Sequence, residues 1–216
     1  MEIQTINPWN VNFKQASLIQ KELQEKIKFK ALSKKISLVA GADVSYSKHS
    51  DQFFAVVVIV KLPNFEIIEI KTAKGKVPFP YVPGFLSFRE VPILSKAFEK
   101  LKTLPDVILC DGQGIAHPRQ LGLACHLGLV LNRPTIGCAK KRLVGDYRMP
   151  ASQKGSKTIL KFKNKKVGLV FRSKTGIKPI FISPGHLIDF DGSQSLSNKM
   201  SISLKNHFFF WESFFR

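Results

Sequence analysis

The chain has 216 residues, 44% of them hydrophobic, enough for one well-filled core in one large domain or two small ones. Its 34 Lys and Arg stand against 15 Asp and Glu, a formal charge of +19, which argues against a neutral partner and points to a polyanion, nucleic acid first and an anionic membrane surface second. The longest apolar run, Phe53 to Val60, is too short for a membrane-spanning helix, Cys110, Cys125 and Cys138 read as buried free thiols, and the first residues lack the basic start and apolar stretch of a secretory signal, so a soluble cytoplasmic protein is expected.

Phe13 to Phe29 carries apolar residues at Ala16, Ile19, Leu23 and Ile27, which predicts a helix with Lys and Glu on its outer face. Ile36 to Tyr46 alternates as a strand. Leu38, Ala40, Ala42 and Val44 share one face, and Val39, Gly41, Asp43 and Ser45 the other. Asp43 thereby shares a largely apolar strand and needs a partner. A polar turn over Ser47 to Gln52 leads to a second strand, Phe53 to Leu62. Pro63-Asn64 turns the chain into a third, Phe65 to Lys71, completing an antiparallel meander. Residues 74–84 hold Pro78, Pro80 and Pro83 and predict a stiff loop presenting Phe79 and Tyr81.

A helix is predicted from about Phe88 to Lys102, with Glu90, Leu94, Ala97 and Leu101 on one face. Glu90 has two readings there: an inward carboxylate, or the last member of a Ser87-x-x-Glu90 capping box. Val107 to Cys110 then reads as a short buried strand ending at Asp111, followed by Gly112, Gln113 and Gly114. The Asp-Gly-x-Gly pattern is a turn signal, and equally a carboxylate beside a ligand crevice at the end of a strand. Pro118 suits the first turn of a helix over 118–131. Pro134 to Ala139 is a further strand ending at Lys140-Lys141-Arg142, which alone reads as a solvated basic loop. Residues 150–166 are Lys- and Ser-rich and polar, and Val167–Arg172 with Pro179–Ser183 predicts a final hairpin.

Three strands, then helix, strand, helix, strand, predicts an α/β fold with a mixed sheet: an antiparallel meander continuing into parallel crossovers flanked by helices. No repeat or linker divides the chain, so residues 1–216 are expected to form one domain. That order brings Asp43, Glu90 and Asp111 toward one place. Three converging carboxylates would hold divalent cations through oxygen, as Mg²⁺ prefers. Two ions roughly 3.5–4 Å apart can open a phosphodiester.

Taken together, Gly41-Ala-Asp-Val-Ser45, Pro80-Tyr-Val-Pro-Gly-Phe-Leu-Ser-Phe-Arg-Glu90, Asp111-Gly-Gln-Gly-Ile-Ala-His-Pro-Arg119, Gly122-Leu-Ala-Cys-His-Leu-Gly128, Gly137-Cys-Ala-Lys140 and Ser183-Pro-Gly-His186 closely resemble the endonuclease V family over about residues 8–188. The resemblance implies an RNase H-like fold, and a repair endonuclease that recognises deoxyinosine in DNA and cuts the second phosphodiester 3′ to it. It implies metal-binding roles for Asp43, Glu90 and Asp111, with Mg²⁺ as cofactor and Mn²⁺ able to replace it, and a catalytic role for Lys140. Pro80, Tyr81, Val82 and Pro83 are similar to the family's wedge, and Gly84, Leu86, Gly112, Gly114 and His117 would surround the flipped base. The implied partner is DNA containing deoxyinosine, with no membrane and no obligate protein partner. The alternatives are an inosine-specific RNA endonuclease, or a nucleic-acid-binding relative weakened in catalysis. The last suggestion arises because residues 190–216 depart from the family pattern. His207 is the histidine available there, and Phe208–Phe215 predicts a short helix packing on the core.

Overall fold

The computed structural model describes residues 1–32, 35–46 and 51–203. The sequence readings on His207 and Phe208–Phe215, and most of the turn after Tyr46, lie outside these residues. Among the described residues four helices, α1 (Phe13–Glu25), α2 (Leu86–Glu99), α3 (Leu123–Leu131) and α4 (Phe190–Ser203), accompany eight strands. The strands are β1 (Leu38–Tyr46), β2 (Gln52–Lys61), β3 (Glu66–Lys76), β4 (Val107–Cys110), β5 (Thr135–Ala139), β6 (Lys157–Phe162), β7 (Lys165–Phe171) and β8 (Ile180–Pro184).

All eight strands form one sheet in the order β3-β2-β1-β4-β5-β8-β7-β6. β1, β2 and β3 pair antiparallel, and β1, β4 and β5 run parallel. β8, β7 and β6 return antiparallel. This is the predicted mixed sheet, an RNase H-like architecture. Both faces of its centre are covered, which is why β4 and β5 are apolar throughout. On one face α2 and α3 bury Phe88, Leu94, Phe98 and Leu127 against Ala40, Ala42, Val57 and Ile59. On the other, Ile188 and Leu196 cover Val39, Leu109, Ile136 and Ile182. The β1 alternation is therefore as read. The three cysteines are buried and free, and among the described residues no helix is long and apolar enough to cross a membrane.

Several boundaries, and one strand, differ from the sequence reading for tertiary reasons. α1 stops at Glu25 because residues 28–30 run extended along 186–189, where Leu187 N donates to Lys28 O and Asp189 N to Lys30 O. β3 continues to Lys76 because β2 offers pairing partners as far as Gln52. α2 begins at Leu86, capped by Phe85 without a side-chain bond. Ser87 lies inside it and bonds His126 Nδ1 at 3.0 Å, so there is no capping box. α3 begins at Leu123 rather than Pro118, because Gln120 adopts φ 52° and the N–H groups of Gly122 and Ala124 donate to Gly114 O and Gln113 O. Finally, the polar stretch 150–166 contains β6, whose lysines face solvent while Leu160 is buried. Lysine on an edge strand is compatible with pairing and discourages association.

Candidate active site

β1 and β4 are parallel and in register, Ala42 opposite Cys110. Asp43 and Asp111 are the next residues of each strand, so their backbones stand about one strand spacing apart, ~4.8 Å. β5 follows on the far side of β4 and delivers Lys140, whose Nζ lies 2.9 Å from Asp111 Oδ2. Glu90 enters from α2, only 7% exposed, on a helix held to the sheet by its apolar face. The carboxyl ends of parallel strands and one helix thus bring together the four residues that the sequence grouped.

Their electrostatics are strained. Burial, and then the neighbouring Asp111 charge, push the Asp43 carboxyl up to about 6, against the Val44 N–H that donates to its Oδ1 at 2.8 Å and the charge of Lys140. Glu90 is raised well above the usual carboxylate range by burial, then by Asp43 and Asp111, with Arg89 opposing. Asp111 is raised by burial and held back by Lys140. Such a group of mutually repelling carboxylates is relieved by a bound cation. Among the described residues no group of three or more His, Cys, Asp and Glu side chains is arranged to hold a metal ion. Mg²⁺ is ordinarily held by one or two carboxylates and completes its shell with water and substrate phosphate. Asp43 and Asp111, adjacent and mutually repelling, offer oxygen donors of the kind that ion takes.

The loop after β3 presents Pro80, Tyr81 and Pro83 to solvent, Tyr81 being 61% exposed, while Phe79 beside it is buried. Arg89 holds the base of this loop. Its Nη1 donates to Phe79 O at 3.1 Å, and its guanidinium lies against the rings of Tyr46, Phe53 and Tyr81. The far end is clamped at Gly84, at φ 82°. Gly84 O accepts from Gln20 Nε2 (3.0 Å), Arg119 Nη2 (2.8 Å) and His117 Nε2 (3.0 Å). His117 Nδ1 accepts from Arg119 N, so the ring is the Nε2–H tautomer. It stays neutral because burial, and then Arg119, lower its pKa to about 4. Arg119 Nε donates to Gln20 Oε1, and its guanidinium stacks 4.3 Å from the Phe85 ring.

Gly84, Leu86 and His117 line a small cavity of about 40 Å³ together with Gln20 and Gln113. Gly112 and Gly114 are not among its walls. A Cβ on Gly114 would lie 2.1 Å from Pro184 O, so that glycine allows the Asp111 loop to lie flat against β8. There Gly114 N donates to Ser183 Oγ at 2.7 Å. Gln113 Nε2 donates to Lys141 O at 2.9 Å, which fixes its amide, and leaves Oε1 buried without a protein donor at the cavity wall. Gln20, Arg89, Gln113, Arg119 and Ser183 were not picked out from the sequence. Arg89 and Arg119 were at least visible as charges beside Glu90 and His117, whereas Gln20 sits 64 residues from the carbonyl it holds and left no signal.

The Endonuclease V family model matches residues 21–205. Endonuclease V of Dehalococcoides mccartyi (strain ATCC BAA-2100) is 47% identical over 188 residues, covering 87% of this chain and 84% of its own. The crystal structure of Endonuclease V from Streptomyces avermitilis is 34% identical with a TM-score of 0.84, over 95% of this chain and 90% of that one. Ciona intestinalis Endonuclease V, solved with a 24mer DNA containing an inosine followed by a ribo-adenosine, is 26% identical with a TM-score of 0.73, over 85% and 87% of the two chains.

Proposed function

The chain belongs to the endonuclease V family, and on that premise we propose that it is a repair endonuclease that recognises deoxyinosine in DNA and hydrolyses the second phosphodiester 3′ to it with Mg²⁺, Mn²⁺ serving in its place. The observation that carries this reading is the crowding of Asp43, Glu90 and Asp111, with Lys140 on Asp111, at the carboxyl ends of the parallel strands. Those three carboxylates would hold the metal. When bound it supplies Lewis-acid neutralisation of the phosphate. Lys140 is placed to turn from Asp111 toward a phosphate oxygen and balance the charge that develops there. Burial of Asp43 and Glu90 keeps bulk water from weakening these interactions.

Recognition falls to the loop. Tyr81 offers a flat face to a neighbouring base, and the flanking prolines lower the ordering cost of inserting it. A base swung out beside it would meet Gly84, Leu86 and His117. Hypoxanthine carries an N1–H that adenine lacks, a donor suited to the unsatisfied Gln113 Oε1. A site whose buried acceptor is left unpaired by the wrong base can discriminate strongly.

The test is nicking of a deoxyinosine duplex by the wild-type chain and by Asp111→Ala, each with Mg²⁺ and with EDTA. Cleavage only by wild type with Mg²⁺, mapped to the second 3′ bond, is expected. Equal cleavage by Asp111→Ala or in EDTA overturns the metal-site reading. An inosine RNA of the same sequence is run alongside, because the Ciona complex contains a DNA in which an inosine is followed by a ribo-adenosine. Faster cutting of the RNA would replace the DNA-repair reading.

A further inference from the structure

The charge of this protein is not evenly spread. Residues 140–166 hold ten Lys and Arg against a single acid, Asp146. The active site uses only Lys140 of these. The rest of the segment folds against the outer edge of the sheet. Asp146 N donates to Lys161 O at 2.8 Å, Lys161 N to Asp146 O at 3.0 Å, and Thr158 Oγ1 to Arg148 O at 2.5 Å. Between this strap and the β6–β7 hairpin lies an open groove of about 760 Å³, lined by Tyr147, Arg148, Ile159, Lys161, Lys163 and Asn164 among others.

Three features make this groove a track for a polyanion. First, its lone carboxylate faces Arg142 Nη1 at 3.3 Å, so the net field along it is positive. Second, Ile159 is 46% exposed between lysines, an apolar floor on which a sugar or base can rest while the cations meet phosphates. Third, the walls are fixed. Lys163 and Asn164 occupy the left-handed positions of the hairpin turn, at φ 50° and 60°, and the strap is tied to β6 by the bonds above. The groove reaches the level of the chemistry at Thr158, which β7 and β8 align with Ala139, and runs from there toward Lys163 and Asn164 at the opposite end of the strands. Six residue steps separate Lys140 from Asp146, so their backbones are at most ~20 Å apart, about six nucleotides at ~3.4 Å each. Gln113 Nε2 holds the start of the connecting segment through Lys141 O.

We propose that this groove carries the phosphate backbone of the nucleic acid that flanks the scissile bond, extending the substrate site beyond the lesion and the carboxylates. The inference rests on the endonuclease reading above. Its contribution is to affinity and salt dependence, not to the chemical step, because Arg148, Lys161 and Lys163 line this groove, whereas Asp111 and Lys140 stand at the ends of β4 and β5.

The experiment compares wild type with R148A/K161A/K163A by equilibrium binding across salt concentrations, without Mg²⁺. Two inosine duplexes are used, a stem of about 8 base pairs that stops short of the groove and one of about 24 that crosses it. Each phosphate contact contributes roughly 0.9 to the log–log salt slope. On the long duplex the variant's slope should fall by about 2–3, so that wild type loses ~40-fold more affinity than the variant between about 50 and 200 mM salt. On the short stem the two proteins should coincide, and nicking at saturating substrate should be equal. Should the triple variant melt early, Lys163→Ala at the exposed turn, with a slope change of about 0.9, serves instead. K161R/K163R should keep the wild-type slope. An unchanged slope on the long duplex, or the same reduction on both duplexes, overturns the proposal. Because binding is read without metal, failure of wild type to nick inosine would count against the proposed function alone.

Discussion

Gln20→Ala is the most informative single change outside the carboxylates. Gln20 is completely buried on α1, and its amide joins two parts of the recognition apparatus, donating to Gly84 O at 3.0 Å and accepting from Arg119 Nε. Its second donation, to Leu121 O at 3.4 Å, is too long to weigh much. Truncation removes one good neutral bond, about 1 kcal/mol, and leaves the charged Arg119 Nε without its acceptor, about 1–3 kcal/mol more. A loss of ~2–4 kcal/mol in unfolding free energy is expected. Gly84 O would still accept from His117 and Arg119, so the loop should loosen rather than detach. Losing about 1 kcal/mol of anchoring corresponds to a roughly fivefold loss of preference for inosine-containing over undamaged duplex. Urea denaturation measures the first quantity, and the ratio of Kd values for the two duplexes at one salt concentration the second. Combining the change with Tyr81→Ala tests the route. If Gln20 acts by holding the loop that carries Tyr81, the double variant should discriminate no worse than Tyr81→Ala alone. A stability change below about 0.5 kcal/mol, or equal weakening on undamaged DNA, would refute this account.

Tyr81→Ala itself should reduce inosine affinity by about 1–3 kcal/mol, the worth of a base–aromatic stack, and leave undamaged duplex nearly untouched in the same titration. Gly114→Ala should destabilise by about 3 kcal/mol or more, since its Cβ meets main-chain oxygen at 2.1 Å, whereas Gly112→Ala meets only the Leu123 side chain at 3.0 Å and should cost under about 1.5; paired thermal melts separate them. His126 is pressed by burial to a pKa of about 3, between Ser87 Oγ and Asn7 Oδ1. The unfolded chain therefore binds the extra proton between roughly pH 3 and 6.5, and stability rises with pH across that window. His117 and His186, each lowered to about 4, act in the same sense, and the raised Asp43 and Glu90 in the opposite one. The readout is thus the difference between wild type and His126→Gln, which should show a shallower rise; identical slopes would count against the buried neutral histidine.

Much of the fold was written locally. The alternation in β1, the apolar run of β4 and the helical stripe from Glu90 to Leu101 each carry their own periodicity, and their order specifies a mixed sheet with little room for another topology. The sequence also singled out its candidate carboxylates, because Asp43 lies within a largely apolar strand and Asp111 directly follows one. What it could not supply was any boundary or partner set by distant chain. Helix α3 starts five residues late because the carbonyls of Gln113 and Gly114 take the N–H groups of Ala124 and Gly122. Ser87 left its capping box for His126, 39 residues away, and this leaves Glu90 an inward carboxylate. β6 was hidden because its lysines look like loop when read singly, and only β7 beside it turns them into one face of an edge strand. Gln20 has no local signal, since its role exists only once α1, Gly84 and Arg119 meet. Periodicity records which way a side chain faces, a property of neighbours in sequence. Hydrogen-bond partners and raised pKa values depend on which distant groups share a buried space, and that is decided only when the sheet closes against its helices.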